Sequence, residues 1–331
     1  MKAFLSSVKA WGNKKIRGSV WMTGLRDKWG LLLVLVLVVV IFSFLSHAFF
    51  SISNLSIILR QNSILFILAI ATTIVIVSGG IDLSIGSNMV FCSIVVGIIL
   101  RQFGVSGIAF AIIAGLFSGF LIGLINGLMV GRFGINSWLV TLSTMTIVRG
   151  LAYVISKGQM VSGIPKEFSS FITMKIGPFS MNIFIAVLIG IVVHIIYSNT
   201  SVGFTIKGIG SNPFAALYVG IPINRYYILI YCLSGILSAI AGIILVGNVS
   251  STTAFSNVGI ELDAIAGVVV GGTAFSGGVG SIGGTALGVL IIGIIQNGLV
   301  MFGVSTHYLK MFRGLVLISV VMINSLLKKN D

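Results

Sequence analysis

The sequence predicts an all-α polytopic membrane protein, with about ten transmembrane helices in two related halves and with broken helices. Three observations predict it. Charged residues are 8% of the chain and hydrophobic residues 57%, where a soluble domain carries about 25% charged. The apolar residues fall into runs of spanning length, and a set of short motifs recurs in the same order in each half. A soluble fold of 331 residues cannot hide that much apolar surface, so lipid is the solvent over most of it.

A helix needs about 20 apolar residues to cross the hydrocarbon core. That rule gives spans at 30–50, 61–78, 87–100, 106–130, 136–156, 181–197, 226–247, 262–275, 284–302 and 311–327. Several are short, which predicts partial helices. Segment 1–29 is a polar leader, too long for a signal peptide, and no small-residue cleavage site follows Gly30–Leu45. An uncleaved first span is therefore expected. Residues 30–327 form one transmembrane domain and 328–331 a short tail.

The formal charge of +14 does not indicate nucleic acid, because of where the charges sit. Lys2, Lys9, Lys14, Lys15, Arg17, Arg26 and Lys28 precede the first apolar run, and Lys328 and Lys329 follow the last. Basic ends of this kind mark the cytoplasmic side. An even number of spans puts both termini there, with the polar stretch 198–225 (Lys207, Arg225), and puts 157–180 outside. The two cysteines, Cys92 and Cys232, lie in apolar runs and read as core residues. His47, His194 and His307 are scattered and have no metal-ligand spacing.

In the first half, G-G (Gly79, Gly80), S-x-G-S (Ser84–Ser87), N-G-L (Asn126–Leu128) and R-G-L (Arg149–Leu151) follow one another. Gly271-Gly272, Gly278–Ser281, Asn297–Leu299 and Arg313–Leu315 repeat that order in the second. Glycine-interrupted segments at matching positions of two halves mark the central pathway of many transporters. Gly115, Gly119, Gly123, Gly127 and Gly131, at a spacing of four, form a smooth helical face expected to be a close helix–helix seam. Asn126 beside it either bonds across helices or faces a pathway. Gly278, Gly280 and Gly283 form a G-x-G-x-x-G, but no βαβ context or later acidic residue supports a dinucleotide fold. No G-x-x-x-x-G-K-[ST] occurs, so the chain carries no P-loop of its own.

Asp82, Glu261 and Asp263 are the acids near membrane-embedded segments. A carboxylate in hydrocarbon caps a helix, pairs, or lines a wet cavity. In G-G-I-D-L-S, Asp82 either caps a helix that restarts near Ser84 or serves a solute or proton directly. Glu261 and Asp263 read as first-turn acids of the next helix, and Arg149 either snorkels or pairs inside. In the stretch 198–225, Ser211 or Asn212 before Pro213 signals a short helix that ends at Gly220, with Pro222 beyond. It is either a docking element or a linker.

GGIDLSIGS (79–87), NGLMVGRFGINSWLVTLSTMTIVRGLAYVISKG (126–158), IKGIGSNPFAALYVGI (206–221) and LDAIAGVVVGGTAFSGGVGSIGGTALGVLIIGIIQNGL (262–299) resemble the permease of bacterial ribose-type sugar ABC importers. That group also handles xylose, arabinose, galactosides and a furanosyl signalling molecule. The resemblance covers essentially 30–327, and it implies a non-catalytic permease subunit in the bacterial inner membrane. It implies three kinds of partner: a second permease, identical or related; a cytoplasmic ATPase that binds the ATP and Mg; and a periplasmic sugar-binding protein. This chain would hold no cofactor or metal. Residues 206–221 would be the region that fits the ATPase, making Lys207, Gly210, Asn212, Ala215, Ala216 and Gly220 coupling candidates. The chain departs from the family at Ser143, often Gly, and at Pro213 and Phe214, where charged residues are common. Sugars need hydroxyl and amide partners, so Ser84, Asn126, Thr141, Thr144 and Asn297 are pathway candidates, with Asp82 added because it belongs to the broken element that shapes the pathway. The competing class is an ion-coupled secondary transporter of a small polar solute, using Asp82 or Asp263.

Overall fold

In the computed structural model, residues 19–46 and 48–305 are described, with isolated positions between 308 and 322. The described chain is helical almost throughout. It runs α1 (Ser19–Leu45), α2 (Ile52–Val77), α3 (Ile85–Phe103), a 3-10 turn (Gly104–Gly107), α4 (Ile108–Gly131), α5 (Ser137–Ser156) and α6 (Lys166–Thr173). A two-residue hairpin, β1 (Lys175–Ile176) and β2 (Phe179–Ser180), leads to α7 (Met181–Asn199), α8 (Ser201–Ser211) and α9 (Pro213–Tyr218). Then come α10 (Ile223–Val249), α11 (Ile260–Val270) and α12 (Ile282–Met301). Six stretches of the described residues are long and apolar enough to cross a membrane; one of them, Ile85–Gly131, is α3 and α4 joined through the turn. The protein is an all-helical, polytopic membrane protein.

Helices α2 and α10 form the interior, enclosed by α3, α4, α7, α11 and α12. The outer helices turn apolar side chains outward, among them Phe110 and Phe117 on α4, Val154 on α5 and Leu188 on α7. Lipid makes that arrangement stable. The glycine face of α4 meets α10 backbone to backbone: Gly119 lies on the Gly235 carbonyl, Gly123 on that of Tyr231, and Gly131 on that of Asn224. A methyl group at any of the three would overlap its partner oxygen, so the spacing of four glycines sets how closely the two helices pack.

Caps fix where the helices start. Ser51 Oγ accepts from Asn54 N (3.1 Å) at α2, and Ser281 Oγ accepts from Gly284 N (3.0 Å) at α12. The two breaks begin alike. At the end of α2, Gly79 N donates to Ile76 O (2.9 Å) and Gly80 N to Val75 O (3.0 Å), with Gly79 at φ +86. At the end of α11, Gly272 N donates to Val269 O (3.0 Å) and Thr273 N to Val268 O (3.2 Å), with Gly272 at φ +88. Both are glycine C-caps in the left-handed region, where a side chain would be strained.

The structure departs from the sequence expectation in several places. Helix α2 starts at Ile52 rather than 61, because Arg60 and Gln61 continue the helix down to the Ser51 cap. The predicted span 262–275 is α11, only 11 residues long. At 1.5 Å per residue it covers about 16 Å, roughly half the hydrocarbon core. The chain reaches its start through the non-helical segment 253–259. Residues 157–180 contain α6 and the hairpin, and 198–225 contains a helix, α8, ahead of the short α9. Lys2, Lys9, Lys14, Lys15, Arg17, His47, His307, Arg313, the last span 311–327 as a continuous element, and the tail 328–331 lie outside the described residues.

Candidate functional site

The residues singled out in the sequence separate into three places. The first is a buried chain of hydrogen bonds at the α2–α3 break. Asp82 Oδ1 accepts from Ser84 N (2.9 Å) and Ser84 Oγ (2.6 Å), and Asp82 Oδ2 accepts from Ser234 Oγ (2.7 Å) on α10. Ser84 Oγ in turn accepts from Asn126 Nδ2 (2.9 Å) on α4, and Asn126 Oδ1 accepts from Thr144 Oγ1 (2.7 Å) on α5. The neighbouring Ile81 donates its N–H to Ser137 Oγ (3.0 Å), while its carbonyl accepts from Thr141 Oγ1 and Tyr231 Oη (both 3.2 Å). The non-helical backbone of the break is thus satisfied by side chains from α5 and α10, which membrane-depth backbone requires. Asp82, Ser84, Asn126 and Thr141 are buried, and Thr144 is half-buried. Asp82 bonds the N–H and hydroxyl of Ser84, where α3 restarts, and also ties that turn to α10. Ser234, which completes the carboxyl's partners, carries no sequence signal beyond a serine in an apolar run.

The second place is a joint of glycines. Gly278 N donates to Val77 O (2.8 Å), linking the α11–α12 break to the end of α2. Gly210, near the end of α8, sits on that same bond: a Cβ there would overlap both the Val77 oxygen and the Gly278 nitrogen. Tyr197 Oη donates to Gly280 O (3.0 Å), and Tyr227 Oη to Ser78 O (3.4 Å). Lys207 Nζ lies 4.4 Å from the centre of the Tyr197 ring and 5.5 Å from that of Phe204, and burial lowers the pKa of its ammonium group. Beyond the joint, Asn212 Oδ1 caps α9 by accepting from Ala215 N (3.0 Å), with Pro213 in the first turn. Ala216 is buried, whereas Asn212, Ala215 and Gly220 are exposed. So are Phe214, Leu217, Tyr218 (91% exposed) and Val219, an apolar surface on a polar stretch. Sequence reading missed these four, although each stands in the stretch quoted for it.

The third place lies toward the opposite end of the bundle. A cavity of ≈ 350 Å³ opens between α2, α11, α12 and the segment before α11. Asn297 is on its wall and accepts from Asn54 Nδ2 (3.1 Å), far from the Asp82 chain. Asp263 and Gln296 also line it, with Gln296 Nε2 3.4 Å from Asp263 Oδ1. Arg149 Nη1 donates to the carbonyls of Ala254 (3.0 Å) and Ser256 (3.1 Å), so this arginine pairs inside and holds the segment that descends to α11. Glu261 is buried against Gly86 in the first turn of α11.

Residues 54–321 match the family described as branched-chain amino acid transport system / permease component. Among curated proteins, the chain is similar to the ribose import permease protein RbsC of Bacillus subtilis (strain 168), 37% identical over 91% of this chain and 94% of the relative. RbsC of Escherichia coli (strain K12) is 35% identical over 89% and 92%. The galactose/methyl galactoside import permease protein MglC of Escherichia coli (strain K12) is 34% identical over 90% and 94%. No solved structure matches the chain significantly.

Proposed function

Because the chain belongs to the branched-chain amino acid transport system / permease component family, we infer that it is the permease subunit of an ATP-driven importer and that its solute is a sugar. It is not an enzyme. Relatives named for ribose and galactoside import match along about nine-tenths of the chain, which supports the solute class. In this reading it sits in the inner membrane with both termini cytoplasmic. It has about ten spans in two related halves, and it works beside a second permease, identical or related. A cytoplasmic ATPase binds the ATP and Mg, and a periplasmic protein delivers the sugar.

One structural observation carries the energy input. Helix α8 is seated through Gly210 on the bond that joins both helix breaks, and α9 extends from it with Phe214, Leu217, Tyr218 and Val219 exposed. A soluble partner that grips α9 and moves it would shift both breaks together. Burial of four large apolar side chains against that partner supplies the grip. The test is Tyr218→Arg. Its side chain touches little in this chain, so the permease is expected to fold with a stability change within about 0.5 kcal/mol. A charge forced into an apolar contact is expected to weaken ATPase binding roughly tenfold or more. Co-purification with the ATPase and uptake in reconstituted vesicles measure both; unchanged association would remove α9 as the dock.

A further inference from the structure

We propose that the cavity between α2, α11 and α12 is the chamber that holds the solute inside the membrane, gripping its hydroxyl groups through two pairs of neighbouring amides. The inference rests on the sugar-import reading and adds a site to it.

The chamber's wall is unusual for its surroundings. Gln61-Asn62 on α2 and Gln296-Asn297 on α12 are the same dipeptide on two apolar helices, and all four side chains line one cavity. Asn257 and Asp263, from the approach to α11 and its first turn, complete the polar lining. Polar groups at membrane depth face the protein interior or a wet cavity. Asn62 illustrates the fit: its amide donates to Ile58 O (2.8 Å) and packs against Gly293, where any side chain would collide with it.

Depth and size agree with a holding site. From Val77 to Asn62 is fifteen residues of helix, about 22 Å, and from Ile282 to Gln296 fourteen, about 21 Å. The cavity therefore lies roughly 20 Å along both helices from the glycine joint, on the side away from α8 and α9. It borders the start of a half-length helix, where irregular backbone at depth is tolerated beside a cavity. A volume of ≈ 350 Å³ is within the range of small-molecule sites. The chemistry is that of a neutral polyol: amides both donate and accept, a carboxylate accepts, and among the described residues no lysine or arginine is on the wall. A solute handed over at this end meets the chamber before it reaches the glycine joint.

The experiment uses the full importer, permease with ATPase and binding protein, in vesicles, with radiolabelled D-ribose, D-allose and D-galactose as probes. Gln296→Leu, which keeps side-chain bulk, is expected to lower uptake roughly tenfold, the equivalent of one hydrogen bond to the solute, while ATP hydrolysis stimulated by the loaded binding protein persists. Gln296→Asn, shorter by one methylene, is expected to keep uptake and change the preference among the three sugars, which a merely structural side chain would not do. Wild-type uptake in Gln296→Leu, or an unchanged preference in Gln296→Asn, overturns the chamber and leaves the importer reading intact. A wild-type importer that carries none of the three sugars, nor D-xylose or L-arabinose, removes the sugar-import reading, and the chamber with it.

Discussion

Gly210→Val is expected to cut ATP-driven uptake more than tenfold while leaving the ATPase able to hydrolyse ATP. The position has no room: the first added carbon would wedge into the hydrogen bond between Gly278 N and Val77 O. Both obstacles are backbone atoms, so no side chain can swing aside, and overpacking of this kind costs about 1–3 kcal/mol. Relief comes by lifting α8 off the joint, which separates α9, the proposed dock, from the two breaks it would move. Gly208, two residues earlier on the same helix, has open space where its Cβ would be. Gly208→Val is the control, expected to transport near the wild-type rate. Uptake and hydrolysis measured together on the two variants decide the point; equal uptake would deny the joint any mechanical role.

The second large effect is on stability. Asp82→Ala removes the acceptor for Ser84 N, Ser84 Oγ and Ser234 Oγ, all inside the bundle. A buried donor left unsatisfied costs about 1–3 kcal/mol, so a loss of about 3 kcal/mol or more is expected, read as a lowered thermal midpoint of the purified permease. Asp82→Asn keeps one oxygen for Ser84, and its amide can donate to Ser234, whose hydroxyl can turn to accept. That variant is expected to fold and to transport. The pair separates the two roles open for this residue in the sequence. A carboxyl that carries an ion would lose transport in Asp82→Asn; a carboxyl that pins α3 to α10 would not.

Much of the fold was legible in the chain because lipid imposes simple rules. Apolar runs had to be helices, and G-G followed by polar residues had to interrupt them. The glycine face of α4 had to meet another backbone. Legibility failed where the outcome depended on which helices touch. The half-length α11 reads as a span because its apolar run continues through Gly271 and Gly272, which end the helix instead. Asn126 and Asn297 occupy the same N-G-L motif, yet one is tied to Ser84 in the core and the other faces the cavity. Of the two amide pairs, only Asn297 was legible, through its N-G-L motif; Gln61, Asn62 and Gln296 look like stray polar residues in greasy helices. Only the packing of α12 against α2, more than two hundred residues apart, makes them one wall. A linear stretch does not show exposure, so within 206–221 it does not tell buried Ala216 from exposed Tyr218.

In the proposed mechanism this chain has no engine of its own and is driven from α9. Uptake of radiolabelled D-ribose, D-allose and D-galactose into vesicles measures it directly, with the chain reconstituted alone and with its ATPase and binding protein. The expected result is accumulation only when all partners and ATP are present, unaffected by an ionophore. Accumulation by the chain alone on a proton or sodium gradient, abolished by the ionophore, would contradict the account.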